Sequence, residues 1–342
     1  MGRSSKKRIS VAILGCGKIA GFPGFAKGGA GVFTHLPAYR RFADVDVVAA
    51  CDVDKKQLRE FCDFYKIRNS YADLGEMLEK EKVDVLSICT PPEVHYSAIK
   101  KAAAEGVKYI LCEKPLTLSA KDALGIEKIC KRKGISLTVN YLRRYHPDYR
   151  DLKRFIKSGK AGEVKKIHCL YTRGLVNNGS HLLDLLLYLF GSVDYVYDAE
   201  AVAGSGKYQD ISSKLRFKGG FECFVQPMSS LDYSIFEIDI FFEKARVTIT
   251  DSGRTIITRK AAGSRGFPGF KVLLDHSKKK DCTNMGMVPV VGNVLSDARE
   301  KRKRTGQISD SVYVSKLVDA IKKSSRKKGK RVTIYKKGRK YE

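Results

Sequence analysis

The chain has 342 residues, 43% of them hydrophobic, and a formal net charge of +28. That length exceeds what one hydrophobic core organises, so two domains are expected, and the apolar content excludes a disordered chain. No apolar run reaches the ~18 residues of a membrane-spanning helix, and the basic start Met1–Arg8 leads only into Ile9–Leu14, too short a stretch for a secretory signal.

Five short apolar runs come first: Ile9–Leu14, Val45–Cys51, Val83–Cys89, Val107–Cys112 and Ile135–Val139. Each is apolar almost throughout, as strands covered on both faces must be. Between them lie segments of helical period, Asp54–Tyr65, Glu93–Glu105 and Ala120–Lys133, the last with Ser119 as its N-cap. Strand–helix alternation at this spacing predicts an open, doubly wound parallel sheet.

The pattern changes after Arg143. A helix over His146–Lys157 leads to a strand at Lys165–Thr172 and an apolar helix at His181–Phe190. Alternating segments follow at Lys214–Val225, Ser234–Phe242, Arg246–Thr250 and Thr255–Arg259. Pro268–Gly292, punctuated by glycine and proline, reads as loop, and Ser309–Lys323 as an amphipathic helix. The fold class is therefore α/β: an N-terminal Rossmann domain over residues 1–142, then an α+β domain over 143–342 with a large, mostly antiparallel open sheet and a basic tail.

Charge and cysteines bound the partners. Lys322–Glu342 carries eleven Lys or Arg against one acid, and a smaller basic run spans Arg299–Arg304. Such charge attracts polyanions, but no recognition motif accompanies it, so nucleic acid is disfavoured. Nine dispersed cysteines without a CxxC argue for reduced thiols in a cytoplasmic protein, with no disulfide framework and no metal site.

The first run ends in Gly15-Cys16-Gly17-Lys18-Ile19-Ala20, which fits G-x-G-x-x-A. The glycines permit a tight turn and close approach of a pyrophosphate, and the small sixth residue permits close packing. The second run ends in Asp52, an acid suited to a ribose 2′-hydroxyl and hostile to a 2′-phosphate, so NAD is favoured over NADP. Gly17 to Asp52 spans 35 residues against the usual ~20. The excess lies in Gly21–Thr34, either a surface loop or a flap over the site. The third and fourth runs end in Thr90-Pro91-Pro92, with His95, and in Glu113-Lys114-Pro115. Lys114 there can offer a proton or a positive charge to a carbonyl or hydroxyl.

With Gly179-Ser180-His181-Leu182-Leu183-Asp184, these residues resemble the Gfo/Idh/MocA oxidoreductases over roughly Ile9–Gly191. The resemblance implies hydride transfer between NAD(P) and a carbinol carbon of a sugar, nucleotide sugar or cyclitol. It makes Gly15, Cys16, Gly17, Lys18, Ile19, Ala20, Asp52, Thr90, Pro91, Pro92, His95 and Glu113 cofactor contacts. It makes Lys114 and His181 catalytic, and places Tyr141, Arg143, Arg144, Asn177, Asn178 and Asp184 around the substrate. It also implies a homodimer or homotetramer. The family commonly carries an aspartate where this chain has Asn177, and an amide cannot move a proton. That departure keeps open a non-catalytic dinucleotide-binding regulator or assembly subunit.

Overall fold

The computed structural model describes residues 8–23, 32–202, 209–228, 233–274, 278–282, 286–303 and 306–334. The chain divides into two compact units: Met1–Tyr145 with Asn284–Tyr313, and His146–Thr283 with Val314–Glu342.

The first unit alternates β1 (Ile9–Leu14), α1 (His35–Tyr39), β2 (Val45–Cys51), α2 (Lys55–Tyr65), β3 (Asn69–Tyr71), α3 (Leu74–Lys80), β4 (Val85–Ile88), α4 (Pro92–Ala104), β5 (Tyr109–Cys112), α5 (Ala120–Lys133) and β6 (Ser136–Val139). The strands form one parallel sheet in the order β3-β2-β1-β4-β5-β6. Every residue of β4 and β6 is buried, as a sheet covered on both faces requires. Strand order reverses between β1 and β4, so the loops leaving these two strands part and open a crevice at their carboxyl ends. Local signals set the helix ends. Asp54 accepts amides of α2, Ser119 accepts the Asp122 amide of α5 as expected, and Gly134 closes α5 in the left-handed region. Asn69-Ser70-Tyr71 escaped the sequence reading because it is an edge strand with no apolar run.

The first helix is broken and resumed. After the glycine turn, the carbonyls of Ile19 and Ala20 accept the amides of His35 and Leu36 at 3.1 and 3.0 Å. The two ends of the extra segment Gly21–Thr34 are thus pinned to each other; positions 24–31, where the loop-or-flap question falls, lie outside the described residues.

The second unit opens with α6 (Pro147–Lys157) and β7 (Val164–Tyr171). A π-helical turn, Gly174–Gly179, then runs into α7 (Ser180–Phe190). The strands β8 (Val193–Ala201), β9 (Ile211–Phe217), β10 (Glu222–Pro227), β11 (Phe236–Phe242), β12 (Ala245–Thr250), β13 (Thr255–Gly263), β14 (Lys271–Leu273), β15 (Lys278–Asp281) and β16 (Val332–Thr333) complete a ten-stranded sheet. All its pairings are antiparallel except β7 with β10. Burial alternates residue by residue along β9, β11 and β12, so one face packs inward and the other is wetter. The run expected as one segment over Lys214–Val225 is a hairpin, turned at Gly220, whose φ of 86° suits glycine.

Two expectations are corrected by α8 (Met287–Arg299). The end of the stretch read as loop is helical, and residues assigned to the second domain complete the first. Met287, Val290, Val291, Val294 and Leu295 join the core built by Val11, Ile13, Leu36 and Tyr39. Their helical spacing is masked in the sequence by Pro289 and Gly292. Proline is tolerated in a first turn, and a side chain at Gly292 would meet the Phe42 ring at 3.4 Å. The chain's long last helix is α9 (Gly306–Arg326).

Candidate active site

At the end of β1, Gly15 has φ 87°, and a Cβ there would come within 3.0 Å of the Cys89 backbone and of Thr90 Cγ2. Only glycine holds this turn without strain. Asp52, at the end of β2, turns its carboxylate back on it: Oδ2 accepts the Cys16 amide at 2.7 Å and Gln57 Nε2 at 3.0 Å, and Oδ1 accepts the Asp54 amide at 2.9 Å. Cys16 is buried, and burial together with the Asp52 charge pushes its thiol well above the ordinary range, so it stays neutral. Ala20 is buried, Ile19 half-buried and Lys18 exposed.

A cavity of about 620 Å³ opens here, lined among others by Gly15, Gly17, Asp52, Gln57, Thr90 and Pro91. Gly17 leaves open space, since a Cβ there would find only Gln57 at 4.0 Å. The Thr90 hydroxyl is buried without a partner among the described residues. A bare glycine turn, a carboxylate at the cavity wall and an unsatisfied hydroxyl fit a dinucleotide.

Three sequence expectations change at the ends of β4, β5 and β6. His95 does not reach into the crevice. It is fully buried on α4 and bridges the Thr90 carbonyl (Nε2, 2.9 Å) and the Leu116 carbonyl (Nδ1, 3.1 Å), bracing the Thr90-Pro91-Pro92 turn from behind. Glu113 also faces inward. Its Oε1 meets His35 Nε2 at 2.8 Å and accepts Asn140 Nδ2 at 2.6 Å. Burial alone would raise this carboxyl, but bonds from His35 and Asn140 and the charges of His35 and Lys114 outweigh it, and its pKa falls below the ordinary value. Arg144, expected at the substrate, pairs through one guanidinium nitrogen with Asp310 at 2.6 Å. Lys114 itself is half-buried, and its amide donates to Glu113 Oε2 at 3.3 Å. Tyr141 is buried, and Arg143 is half-buried in the turn Leu142–Tyr145.

His35, Ser87 and Asn140 were missed. Asn140 follows directly on the fifth apolar run, the same strand-end position that nominated Thr90 and Glu113. His35 hid in a five-residue helix just past the extra segment.

In the second unit, Arg173 and Gly174 both take positive φ, and Asp210 Oδ1 accepts the Gly174 amide at 2.9 Å. This bend starts the turn that carries Asn177 and Asn178, both half-buried, into α7. Ser180 Oγ donates to the Asn177 carbonyl at 2.8 Å. His181 is half-buried on the first turn of α7, and buried Asp184 follows at i+3, on the same side of the helix. Elsewhere in this unit, donor atoms of His146, Asp148 and Cys282 lie within 4.8 Å of one another. Asp148, however, is already paired with the Lys280 ammonium at 2.9 Å.

Residues 9–141 match the model of the Gfo/Idh/MocA oxidoreductase family, NAD-binding Rossmann fold. That match takes in all six strands of the first unit's parallel sheet and stops short of the second unit. Gly15 through Pro115 all fall within the matched stretch, whereas His181 and its neighbours fall beyond it. Among curated relatives, D-apiose dehydrogenase of Paraburkholderia graminis is 29% identical over 204 residues, 55% of this chain and 51% of the relative. Myo-inositol 2-dehydrogenase of Thermotoga maritima is 25% identical over 259 residues, 68% and 76% of the two chains. The match thus spans only about half the length of the D-apiose enzyme. The WlbA dehydrogenase of Bordetella pertussis, solved with NADH and UDP-GlcNAcA, shares 20% identity at a TM-score of 0.77, over 96% of this chain and 100% of that one. A levoglucosan dehydrogenase solved with NADH and L-sorbose gives 16% and 0.76, with the same coverage. The likeness to both is one of fold alone, and it runs through both units. Among the described residues no helix is long and apolar enough to cross a membrane.

Proposed function

We propose that the protein is an NAD-dependent oxidoreductase that transfers hydride between the nicotinamide and a carbinol carbon of a sugar, nucleotide sugar or cyclitol. The observation that carries this reading is the pairing of the Asp52-bound glycine turn and its cavity with Lys114 at the end of β5 in the same sheet. The relatives' names, D-apiose dehydrogenase and myo-inositol 2-dehydrogenase, support a polyhydroxylated substrate. Asp52 at the cavity wall favours NAD, because a 2′-phosphate would meet its charge.

The Gly15–Ala20 turn and the Thr90-Pro91 turn hold the dinucleotide. When bound, the nicotinamide supplies the hydride acceptor or donor. Lys114 exchanges the proton of the substrate oxygen: its amine accepts in the oxidation direction and its ammonium donates in reduction. In the second unit, His181 is the titratable group of the α7 turn and takes the other acid–base role. Asn177, Asn178 and Arg143 read substrate oxygens or an acidic group. The all-buried, unbridged cysteines fit a cytoplasmic protein, and the wetter sheet face fits a homo-oligomer.

The test is a screen of sugars, nucleotide sugars and cyclitols with NAD and NADP, read as NADH or NADPH absorbance, with Lys114→Ala and His181→Ala alongside. Turnover with NAD that both variants lose supports the reading. Asn177 favours a second reading, a dinucleotide-binding protein without turnover; tight NADH binding with no rate on the whole panel selects it.

A further inference from the structure

The pocket and Lys114 leave a buried polar cluster without a role. His35 is fully buried. Its Nδ1 meets Ser87 Oγ at 2.6 Å and its Nε2 meets Glu113 Oε1 at 2.8 Å. Glu113 Oε1 also accepts Asn140 Nδ2 at 2.6 Å. One imidazole on α1 thereby ties together side chains from β4, β5 and β6, just where those strands reach the crevice. A buried carboxylate with two strong donors and little solvent is costly to assemble, and an ordinary core would use apolar residues here. The cluster's outlet is Lys114, the next residue along the chain, whose charge acts on Glu113 and whose amide donates to its second oxygen.

We propose that His35 is a positioning residue for Lys114, acting through Glu113: the imidazole holds the buried carboxylate in place, and in its charged form, beside the lysine. The proposal rests on the reading of Lys114 as the acid–base group, but it concerns the wiring behind the lysine, and its test needs no substrate. The other groups facing Glu113 are the Cys89 thiol after β4 and the Cys112 thiol of β5. Burial and the Glu113 charge push both well above the ordinary range, so they remain neutral and leave the field to His35 and Lys114. Asp297 of α8 acts at the other end of these strands, on Tyr109 and Ser136. A fixed negative charge close to a lysine favours its protonated form by ~1–3 pK units. Without His35, burial is opposed only by the Asn140 bond and the Lys114 charge, so Glu113 shifts towards its neutral acid and its hold on the lysine weakens.

The experiment is competitive acetylation of the full-length protein with acetic anhydride in the presence of NAD, from neutral to alkaline pH. Labelling of the Lys114 peptide is read by mass spectrometry, with exposed Lys100 as internal standard. In His35→Ala the Lys114 midpoint should fall by about one pH unit or more, with Lys100 unmoved. Glu113→Gln, which removes the charge and keeps the shape, should give the same fall. His35→Gln, whose amide still donates to Glu113, should restore most of it. A loss of packing alone would not be rescued by His35→Gln or copied by Glu113→Gln. Lys114 curves that coincide in the unaltered protein and in folded His35→Ala or Glu113→Gln would overturn the proposal. If His35→Ala does not fold, Glu113→Gln and His35→Gln decide it. A Lys114→Ala variant with full turnover would remove the acid–base reading and leave these labelling results intact, so the two failures are distinguishable.

Discussion

Two acids end two strands of one sheet and are used in opposite ways. Asp52, after β2, stands at the wall of an open cavity and spends its oxygens on backbone amides and Gln57 of the turn it faces. Glu113, after β5, is buried and faces inward to His35 and Asn140. The position at a strand end nominates a residue for function. Burial and partners then decide whether it meets a ligand or governs a neighbour that does.

The comparison is broken most decisively at the Glu113 side, through its neighbour. Lys114→Ala should cost ~10²–10⁴-fold in turnover while NADH affinity, measured by fluorescence titration, stays near that of the unaltered protein. Turnover that survives would leave the β5 end with no chemistry to govern. Next in size is the cluster itself. His35→Ala should lower stability by about 1.5–3 kcal/mol in urea unfolding, since it strips a charge-assisted bond from a buried carboxylate. On the cavity side, Asp52→Asn should weaken NADH about tenfold, or ~1.4 kcal/mol, and narrow the gap to NADPH. An unchanged NADH/NADPH ratio would show that Asp52 only shapes the turn.

The smallest effect sharpens the contrast by pH. Glu113 is held below its ordinary 4.5 in the folded protein, so its contribution is in place above that value and is lost as pH falls through the lower folded one. Glu113→Gln should therefore be less stable near neutral pH and lose less on acidification, as followed by thermal melts between the two conditions. A parallel loss in both proteins would place the acid-sensitive group elsewhere.

Much of this was legible in the chain. β1 and β2 coincide with their apolar runs, Ser119 caps α5 as expected, and the glycine turn lies where its spacing put it. What was not legible has common physical causes. β3 has no hydrophobic pattern because it lies at an edge. α8 carries the breakers Pro289 and Gly292 in places where a first turn and a close ring tolerate them. The directions of Glu113 and Arg144 depend on His35 and Asp310, 78 and 166 residues away, and that of His95 on the carbonyls of Thr90 and Leu116, so no local signal encodes them.

The interrupted first helix has a practical corollary. Because the amides of His35 and Leu36 anchor to the carbonyls of Ile19 and Ala20, the spacing of the sheet does not depend on how many residues leave and return at this point. Lengthening such an excursion costs little entropy, about 0.6 kcal/mol per doubling. An epitope tag or a fluorophore-bearing peptide grafted between its anchors would leave the strands in register. Placed one step from His35, it would also serve as a reporter on the interior of the sheet.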